Sequence, residues 1–118
     1  MNTQILTQAG IDLEAALANL GDMDMYNDIA HDFLTESETR LPNIETYLNA
    51  GDMQNYEVLV HAMKSDSKYL GFTKLAELSY NHELASKENN IEYVKENYNE
   101  LMMEANRIIN ILHQYLEG

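Results

Sequence analysis

The 118-residue chain contains no cysteine, a single proline and only five glycines. Without cysteine it can form no disulfide, thiol nucleophile or thiolate metal site, which is compatible with a reducing cytoplasm, where we expect the protein to reside. The scarcity of proline and glycine leaves long stretches free to form helices. Because 45% of the residues are hydrophobic, the chain can bury one core, and we expect a single domain over residues 1–118.

Long apolar runs and basic residues are also scarce. No apolar run approaches the roughly 18 residues of a membrane span, and the first residues lack the basic flank and apolar segment of a secretion signal. Seven Lys and Arg residues stand against 20 Asp and Glu residues, for a formal net charge of −13. Since nucleic acids and anionic membranes are bound through basic contacts, we expect neither as a partner.

Apolar residues recur at helical spacings along most of the chain, and no segment shows a strand pattern. Residues 1–10 carry no strong pattern and are predicted to form a loosely held arm. A short helix is predicted over residues 11–20, with Gly21 as its C-terminal stop. Asp22 or Asp24 can cap the longer helical segment that follows.

Three further helices are predicted, and the longer segment before them contains Pro42. Because proline lacks an N–H and clashes with the preceding turn, Pro42 predicts a kink or a break. The next helix is predicted to begin at Asp52 and to stop near Gly71, and another follows it. Asn89 and Glu92 have the spacing of a capping box at the start of the last helix. That helix has the most regular apolar stripe: Val94, Tyr98, Leu101, Ala105, Ile108, Leu112 and Tyr115.

Long amphipathic helices with short connections favour an all-α fold, an up-and-down four-helix bundle. We expect this bundle to extend from about residue 11 to residue 117, with one short extra helix at its N-terminal side.

The stretch from His61 to Gly71 carries the chemistry that stands out. Residues three, four and seven positions apart share a helix face, which places Lys64, Ser65 and Lys68 beside His61. The opposite face is apolar and predicted to be buried, with Tyr56, Leu59, Met63 and Leu70. Imidazole is a nucleophile near neutral pH, and the neighbouring ammonium groups can neutralise a phosphoryl group placed on it. We therefore predict that His61 carries phosphate on a central helix.

This pattern resembles the histidine-containing phosphotransfer (Hpt) domain family, the helical phosphocarriers of multistep phosphorelays. The family motif places a lysine three residues after the histidine, then small residues, and an apolar–glycine pair nine and ten residues on. Here the corresponding residues are His61, Lys64, Ser65, Asp66, Ser67, Leu70 and Gly71. Similarity extends to Tyr26, Phe33, Asp52, Leu75, Ala76, Leu78 and Glu83.

Three positions depart from the family pattern. Ser65 replaces the usual glycine, but it is small, and its hydroxyl can donate to a phosphate oxygen. Asp66 points away from His61 and is expected to hydrogen-bond within the bundle; the alternative is that its charge adjusts partner choice. His82 replaces an apolar core residue and is expected to be buried, neutral and hydrogen-bonded.

The resemblance implies a phosphocarrier without ATP-dependent kinase activity. His61 would accept a phosphoryl group from the aspartate of a receiver domain and donate it to another receiver, and a hybrid sensor histidine kinase is a further expected partner. Lys64 would contact the phosphoryl oxygens, with weaker assistance from Ser65 and Lys68. The receiver would supply Mg²⁺, so we expect no metal or cofactor on this chain, which we expect to be a monomer.

Two other interpretations are open. A bundle with the family fold could act as a protein-binding scaffold or inhibitor without phosphotransfer, and Ser65 and Asp66 are the features that allow it. A metal-binding bundle is disfavoured, because di-metal bundles need two Glu-x-x-His helices and the chain has only isolated pairs. Glu57, one turn before His61, is interpreted as a solvated charge, although it could orient the ring or repel phosphate.

Overall fold

The computed structural model describes all 118 residues as six α-helices joined by short turns. These are α1 (Gln4–Gln8), α2 (Leu13–Leu20), α3 (Met23–Ala50), α4 (Met53–Leu70), α5 (Thr73–Lys87) and α6 (Ile91–Glu117). Helix α4 packs against α3 and α5, and α6 packs against the same two, so the four long helices close into a bundle. The predicted all-α helical bundle is confirmed, with two short helices ahead of it instead of one.

The ends of the long helices follow local capping chemistry. The carboxylates of Asp22 and Asp52 each accept a hydrogen bond from the backbone N–H three residues later, at 2.9 and 3.1 Å. Helix α4 ends at Gly71, which adopts a left-handed conformation with φ of 80°. The prediction for α6 is wrong by one residue, because the side chain of Asn90 caps it while Asn89 forms the preceding turn with φ of 55°.

Helix α3 is continuous for 28 residues through Pro42, so of the predicted kink or break the break does not occur. A proline inside a helix costs about 3 kcal/mol, because one hydrogen bond is lost and the ring crowds the preceding turn. Phe33 before it, and Ile44 and Leu48 after it, are buried in the core. Burying each such side chain contributes roughly 1.5–3 kcal/mol, so packing on both sides of Pro42 outweighs the local cost.

The N-terminal residues do not form a loose arm, and that prediction is also wrong. Helix α1 packs against α6, and the side chain of Leu6 is fully buried. Arg107 of α6 donates a hydrogen bond from Nη1 to the carbonyl oxygen of Ala9 at 2.9 Å. The backbone N–H of Asp12 donates to the carbonyl oxygen of Gly71 at 2.9 Å, which joins the start of α2 to the end of α4.

His82 lies inside the bundle, 1% exposed, as predicted. Its Nε2 lies 3.1 Å from the carbonyl oxygen of Asn97, and its Nδ1 lies 2.8 Å from the hydroxyl of Tyr56. Because a carbonyl can only accept, Nε2 carries the proton and Nδ1 accepts from the tyrosine. Burial lowers the pKa of His82 below its ordinary value, although the bond to Asn97 and the nearby charge of Glu100 oppose this.

The buried His82 is expected to make the fold sensitive to mild acid. Since its pKa is lower in the folded chain than in the unfolded chain, the unfolded chain binds more protons, and stability falls as pH drops below the ordinary histidine value of 6.5. Urea denaturation at a series of pH values from about 7.5 to 5 measures the free energy of unfolding. This free energy should fall more steeply with decreasing pH for the wild type than for His82→Gln, whose side chain cannot titrate in this range. Equal pH slopes for the two proteins would contradict this assignment.

Candidate functional site

His61 lies on α4 with 56% of its side chain exposed. Its Nδ1 is 2.6 Å from Oε2 of Glu83, a residue of α5. A carboxylate can only accept, so Nδ1 donates, and in the neutral ring the lone pair is then on Nε2. Nε2 has no hydrogen-bond partner in the structure. The ring is therefore held on one side while its nucleophilic nitrogen is free.

Lys64 lies beside His61 and shares the same carboxylate. Its Nζ donates to Oε1 of Glu83 at 2.6 Å, and the side chain is only 14% exposed. The ring centroid of Tyr80 is 5.2 Å from the same ammonium nitrogen. One carboxylate thus orients both the imidazole and the amine that were predicted to work together.

Glu83 is the electrostatic centre of this group, and its side chain is 3% exposed. Burial acts to raise its pKa, but hydrogen bonds from Lys64 and His61, together with their charges, more than offset burial and lower the pKa to about 2. Lys87, one turn along α5, places its Nζ 3.6 Å from Oε2. Glu83 is consequently an anion at neutral pH, and it can stabilise positive charge that develops on the imidazole.

The other predicted site residues lie farther from this carboxylate. Ser65 is half-buried on the His61 side of α4, and its hydroxyl has no hydrogen-bond partner. Lys68 is exposed about 10 Å along the helix axis from His61. It lines a cavity of about 360 Å³ between α2, α4 and α5, which Tyr80 also lines. The structure therefore groups His61 and Lys64 with Glu83, while Lys68 borders the neighbouring cavity and has no ion pair with Glu83.

Two acidic residues of α4 near the motif are paired. Oε1 of Glu57 lies 3.9 Å from Nζ of Lys87, so this charge is loosely paired and not simply solvated. Oδ2 of Asp66 lies 3.0 Å from Nη2 of the buried Arg40 on α3, which also binds Glu36 at 2.6 Å. Asp66 was predicted to hydrogen-bond within the bundle; the structure gives it an ion pair with Arg40 there, which compensates its charge.

The sequence analysis did not predict that residues of α5 belong to the site. It noted Glu83 only as one of the positions that resemble the Hpt family. Tyr80, Glu83 and Lys87 are spaced by three and four residues, so they form one helix stripe that faces the His61 stripe of α4. That spacing was the available signal. The spacing was overlooked because the predicted inner face of α5 was built on His82, the residue next to Glu83.

Two general features bear on the class of site. No group of three or more His, Asp or Glu side chains is arranged to hold a metal ion. Among the six helices, none combines the length and the apolar character needed to cross a membrane.

Comparison with known proteins identifies the family. Searches of curated proteins and of solved structures found no match. The family model described as the Hpt domain matches residues 28–116 of the 118-residue chain, a span that includes His61, Lys64 and Glu83. The chain therefore belongs to the Hpt domain family, whose members are phosphocarriers of two-component phosphorelays without kinase activity of their own.

Proposed function

We propose that this Hpt domain carries a phosphoryl group on Nε2 of His61, taken from the aspartyl phosphate of one receiver domain and passed reversibly to another. The observation that carries the proposal is the exposed imidazole whose Nδ1 is held by buried Glu83, which leaves Nε2 free. A hybrid sensor histidine kinase is a further proposed partner. The proposal includes a monomeric protein in the cytoplasm, a location that rests on the proposed partners.

The transfer step follows from the orientation of the ring. The lone pair of Nε2 attacks phosphorus in line, the bond from phosphorus to the aspartate oxygen breaks, and the aspartate leaves as a carboxylate. The phosphorylated ring keeps its proton on Nδ1 and carries a positive charge. Glu83, 2.6 Å from Nδ1, stabilises that charge in the same way that a buried carboxylate stabilises the histidine of a catalytic triad.

Lys64 has two possible partners in this scheme. In the resting site its ammonium is bound to Oε1 of Glu83. An incoming phosphoryl group brings further negative charge, and Lys64 is proposed to contact its oxygens. Lys87, 3.6 Å from Oε2, remains to compensate Glu83 when Lys64 is shared. Ser65 and Lys68 are proposed to assist more weakly.

The proposed docking surface surrounds His61. Val58 on α4 and Leu84 on α5 are large apolar side chains exposed beside the site, and Tyr69 is exposed farther along α4. Ala62, next to His61 in α4, is partly buried. A modest apolar surface suits the transient contacts of a relay, in which each partner must leave after transfer. The Mg²⁺ of the reaction is proposed to come from the acidic site of the receiver.

Removal of the Lys64 amine is expected to slow transfer by at least about tenfold, because a charge-assisted hydrogen bond contributes roughly 1.5–3 kcal/mol and each 1.36 kcal/mol is a factor of ten in rate. Lys64→Ala should also shorten the lifetime of the phosphohistidine. Rapid-quench measurements with a phosphorylated receiver give both quantities. Lys68→Ala is the matched control, since it removes an equal charge away from Glu83, and it should change the rate less. A larger effect at Lys68 would contradict the assigned roles.

The proposed function is tested by incubating the chain with receivers of its host that carry radiolabelled phosphate, in the presence of Mg²⁺. Acid-labile, alkali-stable label should appear on the chain within seconds to minutes for a cognate receiver. A scaffold or inhibitor would bind a receiver without acquiring label. Binding without label across the receivers of the host would overturn phosphotransfer and favour that alternative.

A further inference from the structure

Tyr80 contacts the amine of the site but has no part in the motif around His61. It lies on α5, three residues before Glu83, and is 45% exposed. Its ring centroid is 5.2 Å from Nζ of Lys64. The ammonium group is therefore held between a carboxylate oxygen at 2.6 Å and the face of an aromatic ring.

The aromatic contact is a second attraction acting on the Lys64 amine, besides its hydrogen bond to Glu83. A cation within about 6 Å of a ring centroid is attracted to the negative face of the ring. Lys64 has only 14% of its side chain exposed, whereas Lys87, which shares Glu83 without a ring beneath it, has 52% exposed. The two amines also differ in their distance from Glu83, which is 2.6 Å for Lys64 and 3.6 Å for Lys87, so the carboxylate and the ring together hold Lys64.

We propose that Tyr80 is a positioning residue for Lys64. Its ring keeps the ammonium at the edge of the site while the amine exchanges between Glu83 and a phosphoryl group on His61. The role belongs to the ring face, because the ring is the part of Tyr80 that contacts the site. This inference rests on the proposed function of His61 and Lys64, and it assigns no bond-making step to Tyr80.

The position of Lys64 can be measured without any phosphotransfer. In NMR spectra of the chain labelled with carbon-13 at lysine Cε, the ring current of Tyr80 should move the chemical shift of Lys64 away from those of the other lysines. Tyr80→Phe should keep that displacement and Tyr80→Leu should remove it. The Lys87 signal is the internal control and should stay in place in both variants. Thermal melts show whether each variant folds. If Tyr80→Leu does not fold, Tyr80→Phe still tests the proposal, because loss of the Lys64 displacement in a variant that keeps the ring would contradict it.

The kinetic arm measures transfer from a phosphorylated receiver, or from phosphoramidate, whose nitrogen–phosphorus bond breaks as Nε2 attacks and ammonia leaves. Tyr80→Leu should slow labelling of His61 about two- to fivefold, as expected for loss of a cation–π contact, while Tyr80→Phe stays near the wild type. In a Lys64→Met background, Tyr80→Leu should have no further effect, because the residue it positions is gone.

The outcomes separate this inference from the proposed function. An unchanged Lys64 signal in Tyr80→Leu would overturn the positioning role, whatever the labelling shows. Equal slowing in the phenylalanine and leucine variants would overturn it too, since the hydroxyl would then be the active group. If the wild type takes no label from any donor, phosphotransfer fails as the proposed function, and the role in phosphotransfer assigned to Tyr80 fails with it even if the spectra place the ring beneath Lys64.

Discussion

Replacing His61 with glutamine is expected to abolish phosphate uptake from every receiver while leaving helical content and thermal stability close to those of the wild type. Glutamine has no nucleophilic ring nitrogen, but its amide N–H can still donate to Glu83, which accepts from Nδ1 of His61 in the native site at 2.6 Å. More than half of the His61 side chain is exposed, so little packing is lost. Gel-based label transfer and far-ultraviolet circular dichroism provide the two measurements.

A matched histidine variant controls for general effects of the substitution. His113 is an exposed histidine of α6 that bonds only to Glu117, 3.1 Å away on the same helix. His113→Gln should take up label like the wild type. Label retained on His61→Gln, or lost from His113→Gln alone, would show that the phosphorylated residue has been assigned wrongly.

Replacing Glu83 with alanine is expected to have the second-largest effect, a loss of about a hundredfold in transfer rate, comparable to removing a preorganised group that stabilises developing charge. The substitution leaves both the imidazole and the Lys64 amine without the acceptor that orients them. Glu83→Gln should fall between alanine and the wild type, because its amide oxygen can accept from Nδ1 but carries no charge. Single-turnover rates with one phosphorylated receiver rank the three proteins.

The same variants should change the acid stability of the bundle. The pKa of Glu83 is lowered from 4.5 to about 2 in the fold, so its contribution to stability is complete above about pH 4.5 and is lost as pH falls toward 2. Glu83→Gln should remove that part of the pH dependence, which denaturation curves over the same range would reveal.

If the proteins with alanine, glutamine and glutamate at position 83 transfer phosphate at one rate, Glu83 has no role in orienting the ring.

The sequence predicted those parts of the fold that depend on local chemistry. Asp22, Asp52 and Gly71 mark helix ends through their own side chains or backbone conformation. Asp52 and Gly71 were predicted as such, and Asp22 was one of two predicted caps for its helix, with Asp24 as the alternative. Helix α1 was missed because it has only five residues and is held by the burial of Leu6. Its other support is the bond from Arg107, 98 residues away along the chain, and such a contact leaves no periodic pattern near residue 4.

The site was predicted in part for the same reason. The stripe on α4 follows from the period of one helix, so the sequence alone places His61 and Lys64 side by side. Their common acceptor lies on the antiparallel neighbour, 22 and 19 residues later. Helical periodicity places Glu83 on a face but does not say which residues of another helix it meets, and that pairing depends on how the helices pack in the bundle.

The junction of α2 and α4 has a consequence for sequence variation at the end of the site helix. A Cβ atom at residue 71 would overlap the backbone of Asp12, whose N–H bonds to the carbonyl oxygen of the same glycine. Residue 71 must therefore lack a side chain, because the backbones of two segments are in direct contact there. A bulkier residue in place of Gly71 would separate the N-terminal segment from the bundle, so sequence variation at this position should be confined to glycine.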